Sequence, residues 1–472
     1  MGQTPRLVAV VMAAGQGTRL LSDTPKVLHR AGGRPLVGHV LAALEPLGAV
    51  ETVMVVPPEH SALVDAFGDS ATFAVQDPPA GTGDAVKVAL AATTTDPSSV
   101  LVVNGDSPLV QPETFRRLLD IHERRAPAAT ILTAVVPDAH GLGRVVRDAD
   151  GAIDRIVEER DATEDERRIN EINCGAYVFD RGALDEMLDK IDTENEQSEY
   201  YLTDVIRLLR SRGDVVLPCT ADADEAIGVN HRHDLARVNE ILRRRVCQRW
   251  MDQGVTILDP ATTYIDATVS IGRDATILPF TFLEGTTSIG ERAEIGPQVR
   301  VVDSAIGAEA SVSFAVIRES EVGNSASVGP FASLRPGTRL EEGSRAGTFV
   351  ETKNTTLGAD SKANHLSYLG DAEIGRGVNV GAGTITCNWD GTAKHKTVIE
   401  DDAYIGSDTM LVAPTHIGRR AATGAGSVVR GDVPDDALAV GVPARIIEGK
   451  GNKMDRLTRA DEDVEKTDDQ ES

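Results

Sequence analysis

The chain has 472 residues, 41% of them hydrophobic, more than one ordinary core accommodates and suited to two or three domains. Its formal net charge of −25 argues against nucleic acid as a partner, because phosphate backbones select basic faces. No apolar run approaches the roughly 20 residues of a membrane span, and the first residues lack a signal peptide's apolar segment and cleavage site, so a cytoplasmic protein with no membrane partner is expected.

The first half alternates short apolar runs with helix-like stretches. Residues 8–12, 53–56, 73–75 and 100–103 have strand length, which predicts a Rossmann-like, doubly wound parallel sheet covered on both faces within residues 1–230. Residues 144–147 and 153–157, around Asp148-Ala149-Asp150-Gly151, read as a hairpin added to that sheet. After the first strand, Ala13-Ala14-Gly15-Gln16-Gly17-Thr18-Arg19 forms a loop whose backbone N–H groups can approach phosphate oxygens closely. A Gly-x-Gly pair alone is more often a tight turn. Here Arg19 and then Pro25-Lys26 bring two cations to the same stretch, which suits a transferring phosphoryl group. Asp106 follows the fourth strand, where a lone Asp is as often a turn residue as a carboxylate that can hold a metal ion.

Over 231–252, Leu235, Val238, Leu242 and Val246 share one helical face, while Arg243, Arg244, Arg245 and Arg249 form a solvated one; this predicts a connecting helix. Beyond it, Ile265, Ile271, Ile277, Leu283, Ile289, Ile295 and Val301 recur every six residues. After a one-residue slip the period resumes at Val322, Val328, Leu334 and Leu340, and later at Ile399, Ile405, Leu411 and Ile417. Six is the hexapeptide repeat of a parallel β-helix, expected over 253–450. Each side of a triangular coil points one aliphatic residue inward, and the Gly that often follows, as at Gly272 and Gly290, is expected to permit the corner. Interruptions at 384–396 and near 353–362 are expected to carry function. Residues 451–472 read as a disordered acidic tail. The four cysteines have no paired spacing and read as reduced thiols, and scarce Lys beside abundant Arg and Asp points to adaptation to high salt.

Ala13-Ala14-Gly15-x-Gly17-Thr18-Arg19-Leu20 followed by Thr24-Pro25-Lys26-Val27-Leu28 resembles the signature of the sugar-1-phosphate nucleotidyltransferases. Along nearly the whole chain the sequence is similar to the bifunctional UDP-N-acetylglucosamine pyrophosphorylase/glucosamine-1-phosphate N-acetyltransferase family, whose second domain is a left-handed β-helix. The resemblance implies nucleotide and sugar contacts at Met12, Ala13, Ala14, Gly15, Lys26, Gln76, Gly81, Thr82, Asn104, Gly143, Glu158, Asn173 and Asn230, with Mg²⁺ on Asp106 and Asn230. Asn104 stands where some relatives carry Tyr. Arg19 and Lys26 would stabilise attack of the sugar phosphate on UTP.

Lys362-Ala363-Asn364-His365-Leu366-Ser367-Tyr368-Leu369-Gly370-Asp371 resembles the same family's acetyltransferase motif. A lone histidine on a β-helix is more often structural, but its neighbours match the family's ligands and reverse that reading. His365 would then accept a proton from the sugar amine. Arg335, Lys353, Tyr368, Asn379, Asn388 and Lys394 would hold the acetyl acceptor, and Ala382, Ser407, Ala425 and position 442 would border acetyl-CoA. This chain has Val442, with Arg445 three residues on, where the family can present Arg. The implied partners are glucosamine-1-phosphate, N-acetylglucosamine-1-phosphate, UTP, acetyl-CoA and two further copies of the chain in a homotrimer. Two alternatives stay open at this point: a transferase for another nucleotide or sugar phosphate, and a non-catalytic binding protein of the translation exchange-factor type.

Overall fold

The run over residues 8–12 is continuously apolar because alternate side chains serve two cores. In the strand Leu7–Met12, Val8 and Val10 are buried on one face of a sheet, and Ala9 and Val11 on the other. These features come from a computed structural model that describes residues 6–15 and 17–451. The leading residues, Gln16 of the phosphate loop and the expected tail from residue 452 lie outside the described residues. The chain divides into two units, residues 1–242 and 243–472.

In the first unit the sheet path runs Val216–Thr220, Ala129–Val135, Glu171–Asp180, Ser99–Asn104, Leu7–Met12, Glu51–Val56, Thr72–Val75. The last four are parallel, as the alternation predicts. Glu171–Asp180, which is not among the strands read from the sequence, runs antiparallel to both neighbours, so the full sheet is mixed. The chain reaches it from the hairpin Arg144–Arg147/Ile153–Val157 and not through a full helical crossover. The hairpin has the predicted bounds and joins the sheet where Arg144 pairs with Ile172. The helix Arg232–Asp252 buries Val238, Ile241 and Leu242 in the first unit and Val246 and Cys247 in the second. Two of its arginines are not merely solvated: Arg243 lies over the Tyr264 ring at 5.1 Å and Arg249 over that of Trp250 at 5.0 Å. No helix among the described residues is long and apolar enough to cross a membrane.

The second unit is a parallel β-helix. Its described strands form sheets of 12, 10 and 9, in which each strand pairs with the third one along the chain until Leu438–Gly441 and Ala444–Ile447 close the first sheet. Ile265 pairs with Leu283, Ile271 with Ile289 and Ile277 with Ile295, so three six-residue sides close one coil. The slip after Val301 is a run of shorter coils, not a gap: Ile306, Val312 and Ile317 keep the core filled. The expected interruption near 353–362 is no interruption either, since Leu340 pairs with Leu357 and Ala346 with Ala363. The glycines after the aliphatic residues have another cause than the one expected. A Cβ on Gly290 would lie 2.4 Å from Ala308 N, and one on Gly272 2.6 Å from Glu291 N, so close stacking of coils requires them. The left-handed corners fall instead on residues such as Asp274, Phe280 and Arg292. Leu283 is fully buried in this core; Leu283→Ala is expected to cost about 2–5 kcal/mol, read as a lower denaturant midpoint of the repeat unit.

Candidate active sites

In the first unit Met12 pairs with Asn104 on adjacent parallel strands, so the loops that follow both strands open at the same sheet end. A cavity of about 630 Å³ lies there, lined by Met12, Ala14, Gly15, Arg19, Lys26, Gln76, Gly81, Thr82, Asn104, Asp106 and Asn230. Ala13 is buried in the sheet core and does not line it. Glu199 does line it and was not legible from sequence, because it lies in an irregular stretch without motif or period.

Lys26 stands at the centre of this site. Its ammonium pairs with the Asp106 carboxylate and donates to Asn230 Oδ1 at 3.0 Å. The two oxygen donors assigned to a metal thus already converge on one cation, and a carboxylate plus an amide oxygen is a set that Mg²⁺ accepts alongside phosphate and water. Gly17 has φ 61°, and a Cβ there would fall 2.5 Å from Lys26 Cβ, so only glycine lets Lys26 cross the loop. Gly15 meets nothing within 4 Å and leaves its side of the loop open. Gly17→Ala is accordingly expected to displace Lys26 and slow the nucleotidyl transfer that the resemblance implies for this site about tenfold or more.

Gln76 is buried and donates both amide hydrogens, to Gly81 O at 3.0 Å and Asp84 Oδ2 at 2.8 Å, leaving Oε1 as an acceptor. Gly81 packs on the Tyr200 backbone, whose oxygen a Cβ would meet at 2.5 Å. Thr82 Oγ1 accepts from Leu202 N at 2.9 Å.

Gly143, Glu158 and Asn173 form a second cluster. Asn173 N donates to Gly143 O at 2.9 Å, and a Cβ on Gly143 would stand 3.3 Å from Glu158 Oε2. Gly175 ties the cluster to the cavity wall, since a Cβ there would fall 2.1 Å from Asn104 Nδ2. Desolvation pushes the Glu158 carboxyl above the usual range, opposed by a hydrogen bond from Thr203 Oγ1 at 3.3 Å. Tyr177, which carries no sequence signal, is buried and accepts from Asn173 Nδ2 at 2.6 Å, fixing that amide.

In the second unit the register aligns distant residues. Ala363 pairs with Val380, Val380 with Ile405, and Tyr404 with Ala422. Counted along these rungs, His365, Ala382, Ser407 and Ala425 hold one position on successive coils, each just before a left-handed corner at Leu366, Gly383, Asp408 or Gly426. Asp408 N donates to Ala382 O at 2.6 Å and Gly426 N to Ser407 O at 2.8 Å, which carries the column upward. Val442 is exposed at its far end, in the turn between Leu438–Gly441 and the antiparallel Ala444–Ile447, where Arg445 pairs with Val440. The His365 imidazole is exposed and makes no hydrogen bond or ion pair among the described residues.

The acceptor residues gather beside this column. The neighbouring Lys394, then desolvation and the Arg335 charge, hold Lys353 below the usual lysine range. Arg335 Nη1 donates to Glu351 Oε1 at 2.8 Å. Asn388 Nδ2 donates to Asp371 Oδ2 at 2.6 Å, and a Cβ on Gly370 would collide with both Tyr368 OH and Asn388 Nδ2, so glycine lets the two converge. Burial raises the Asp371 carboxyl, but bonds from Asn354 and Asn388 and the two lysines outweigh it and leave it below the usual range. Asn379 pairs with Lys362 on the same sheet as His365, with no direct bond to the acceptor group. The break at 384–396 is a true insertion, since Asn379 pairs with Tyr404 across a lengthened coil.

The model of the MobA-like NTP transferase domain family matches residues 9–164. Curated relatives named bifunctional protein GlmU match along nearly the whole chain. That of Heliobacterium modesticaldum is 46% identical over 433 residues, 92% of this chain and 94% of the relative. That of Geobacillus sp. is 45% identical over 451 residues, 95% and 98% of the two chains. That of Carboxydothermus hydrogenoformans is 46% identical over 432 residues, 91% and 96%. Similarity of this degree and extent, on top of a nucleotidyltransferase domain joined to a β-helix, means that the chain belongs to the bifunctional GlmU family of UDP-N-acetylglucosamine pyrophosphorylase/glucosamine-1-phosphate N-acetyltransferases.

Proposed function

We propose that the chain makes UDP-N-acetylglucosamine in two steps, acetyl transfer from acetyl-CoA to glucosamine-1-phosphate in the second unit and uridylyl transfer from UTP in the first. The observation that carries this reading is the column of His365, Ala382, Ser407 and Ala425 beside the Lys353–Lys394 pair. A free base ending a row of small residues, next to clustered cations, is what transfer from a thioester to an aminosugar phosphate needs.

In the first step the amine nitrogen attacks the thioester carbonyl; a C–N bond forms, the C–S bond breaks and free thiol leaves. His365 takes the amine proton, and the backbone N–H of Ala382 stabilises the tetrahedral oxygen. Arg335, Lys353 and Lys394 bind the 1-phosphate, while Tyr368, Asn379 and Asn388 hold the sugar. Ala382, Ser407 and Ala425 border acetyl-CoA, with Val442 at the end of the groove and Arg445 supplying the cation that Val442 lacks.

In the second step a phosphate oxygen of N-acetylglucosamine-1-phosphate attacks the α-phosphorus of UTP and pyrophosphate leaves, so no protein nucleophile is needed. Gly143, Glu158 and Asn173 hold the sugar, Gln76 Oε1 accepts from the uracil edge, and Ala14 and Gly15 of the loop, with Arg19 and Lys26, bind the phosphates. Asp106 and Asn230 would hold Mg²⁺, which neutralises phosphate charge when bound.

A homotrimer fits an exposed apolar ladder on the β-helix. Phe280, Phe331, Phe349 and Leu366 occupy one left-handed corner, each more than half exposed, and Phe331 stacks on Phe349 at 5.4 Å and meets Phe314 at a tilt at 5.3 Å. The ladder ends beside His365, so copies meeting there would enclose the acetyl-transfer site, and closed cyclic symmetry suits such a contact. Paired Phe331→Asp and Phe349→Asp substitutions are expected to give monomer in analytical ultracentrifugation. The function is tested by incubation with glucosamine-1-phosphate, acetyl-CoA, UTP and Mg²⁺, with free thiol and pyrophosphate followed separately. Thiol release without pyrophosphate on any sugar phosphate would remove the second step from the reading.

A further inference from the structure

Lys394 lines one cavity with Asn354 and Asp371, and its charge acts on both Lys353 and the Asp371 carboxylate. Attraction to Asp371 offsets the repulsion between the two ammonium groups but does not fix the segment that carries Lys394. Residues 388–395 form a closed hairpin: Trp389 and Lys394 bridge antiparallel, His395 N donates to Asn388 O at 2.8 Å, and Asp390 N donates to Ala393 O at 3.2 Å. Asp390 locks it from inside. Its Oδ1 accepts from Thr392 N and Ala393 N, both at 2.7 Å, and its Oδ2 meets His395 Nε2 at 2.6 Å. Those bonds, the Ala393 N–H foremost, hold the carboxyl below its usual range. The half-exposed pair adds little to global stability. Its placement matters more, because it brackets Lys394 in the chain while Asn388, at the hairpin's other end, reaches Asp371.

We infer that Asp390 and His395 are positioning residues of the acetyl-acceptor site: their contact closes the hairpin that holds Lys394 against Lys353 and Asn388 against Asp371. The inference rests on the acceptor site proposed above. A preorganised cation pair binds a phosphate without first ordering the loop, so loosening the hairpin raises the cost of binding and not of chemistry.

In the full-length chain, His395→Ala and Asp390→Ala are each expected to raise KM for glucosamine-1-phosphate about tenfold, with kcat and KM for acetyl-CoA within about twofold of wild type. His395→Gln, whose amide can still donate to Asp390, should recover most of the loss. An unchanged KM for the sugar phosphate, or a lower kcat at unchanged KM, overturns the inference. Calorimetry with inorganic phosphate separates this result from the functional reading. A wild-type chain that does not acetylate glucosamine-1-phosphate refutes that reading, yet phosphate binding weakened by both substitutions still supports the hairpin's role. Equal or absent phosphate binding overturns it.

Discussion

Lys26→Ala should lower kcat for uridylyl transfer by about 10²–10³-fold, the loss expected when one preorganised group aimed at developing charge is removed. The side chain has no comparable structural task. Its ion pair with Asp106 is largely buried, the side chains being 13% and 22% exposed, so its loss should cost about 1–3 kcal/mol, read separately as a lower denaturant midpoint. Lys26→Arg should not restore the rate, because a planar guanidinium cannot occupy the point between Asp106 and Asn230 that the ammonium fills. A second readout uses no turnover. Without nucleotide, Lys26→Ala should bind Mn²⁺ more tightly than wild type in an electron paramagnetic resonance titration, since the ammonium no longer competes for the two oxygens. Arg19→Ala removes the same charge from the same cavity without touching Asp106, and should leave that titration nearly unchanged. Wild-type turnover in Lys26→Ala would remove Lys26 from the mechanism.

What was legible in the sequence followed from periodicity and from motifs that are contiguous in the chain. The six-residue period gave the β-helix because one inward residue per side is a steric requirement repeated on every coil. The loop from Ala13 to Lys26 was legible because the residues that meet in space are neighbours in sequence. Groups that meet only through the fold were not. Tyr177 reaches Asn173 across an irregularity in its strand, Glu199 comes from a stretch without pattern, and the Phe331–Phe349 ladder sits at corners outside the inward register. The antiparallel strand Glu171–Asp180 was missed for a related reason, because direction depends on the connection and not on the strand's own residues. The glycines of the β-helix were located correctly but for the wrong cause. Sequence shows that a side chain is absent, and only the neighbouring coil shows what the absence makes room for.

His365→Ala should reduce acetyl transfer by about 10²–10⁴-fold, the range for loss of a positioned general base. Uridylyl transfer supplied with N-acetylglucosamine-1-phosphate should continue at the wild-type rate. The prediction is sharp because the imidazole is exposed and unpartnered, so its removal opens no cavity and strands no buried partner; a stability change above about 0.5 kcal/mol is not expected. A drop in thiol release therefore reports chemistry and not unfolding. The neighbouring cations give the comparison that localises the effect. Lys394→Ala should raise KM for glucosamine-1-phosphate, since it removes part of the phosphate site, whereas His365→Ala should act on kcat with KM little changed. Loss of both activities in His365→Ala would mean that the two units are coupled. Undiminished thiol release would mean that another base takes the amine proton, and the column of Ala382, Ser407 and Ala425 would then need a different residue at its head.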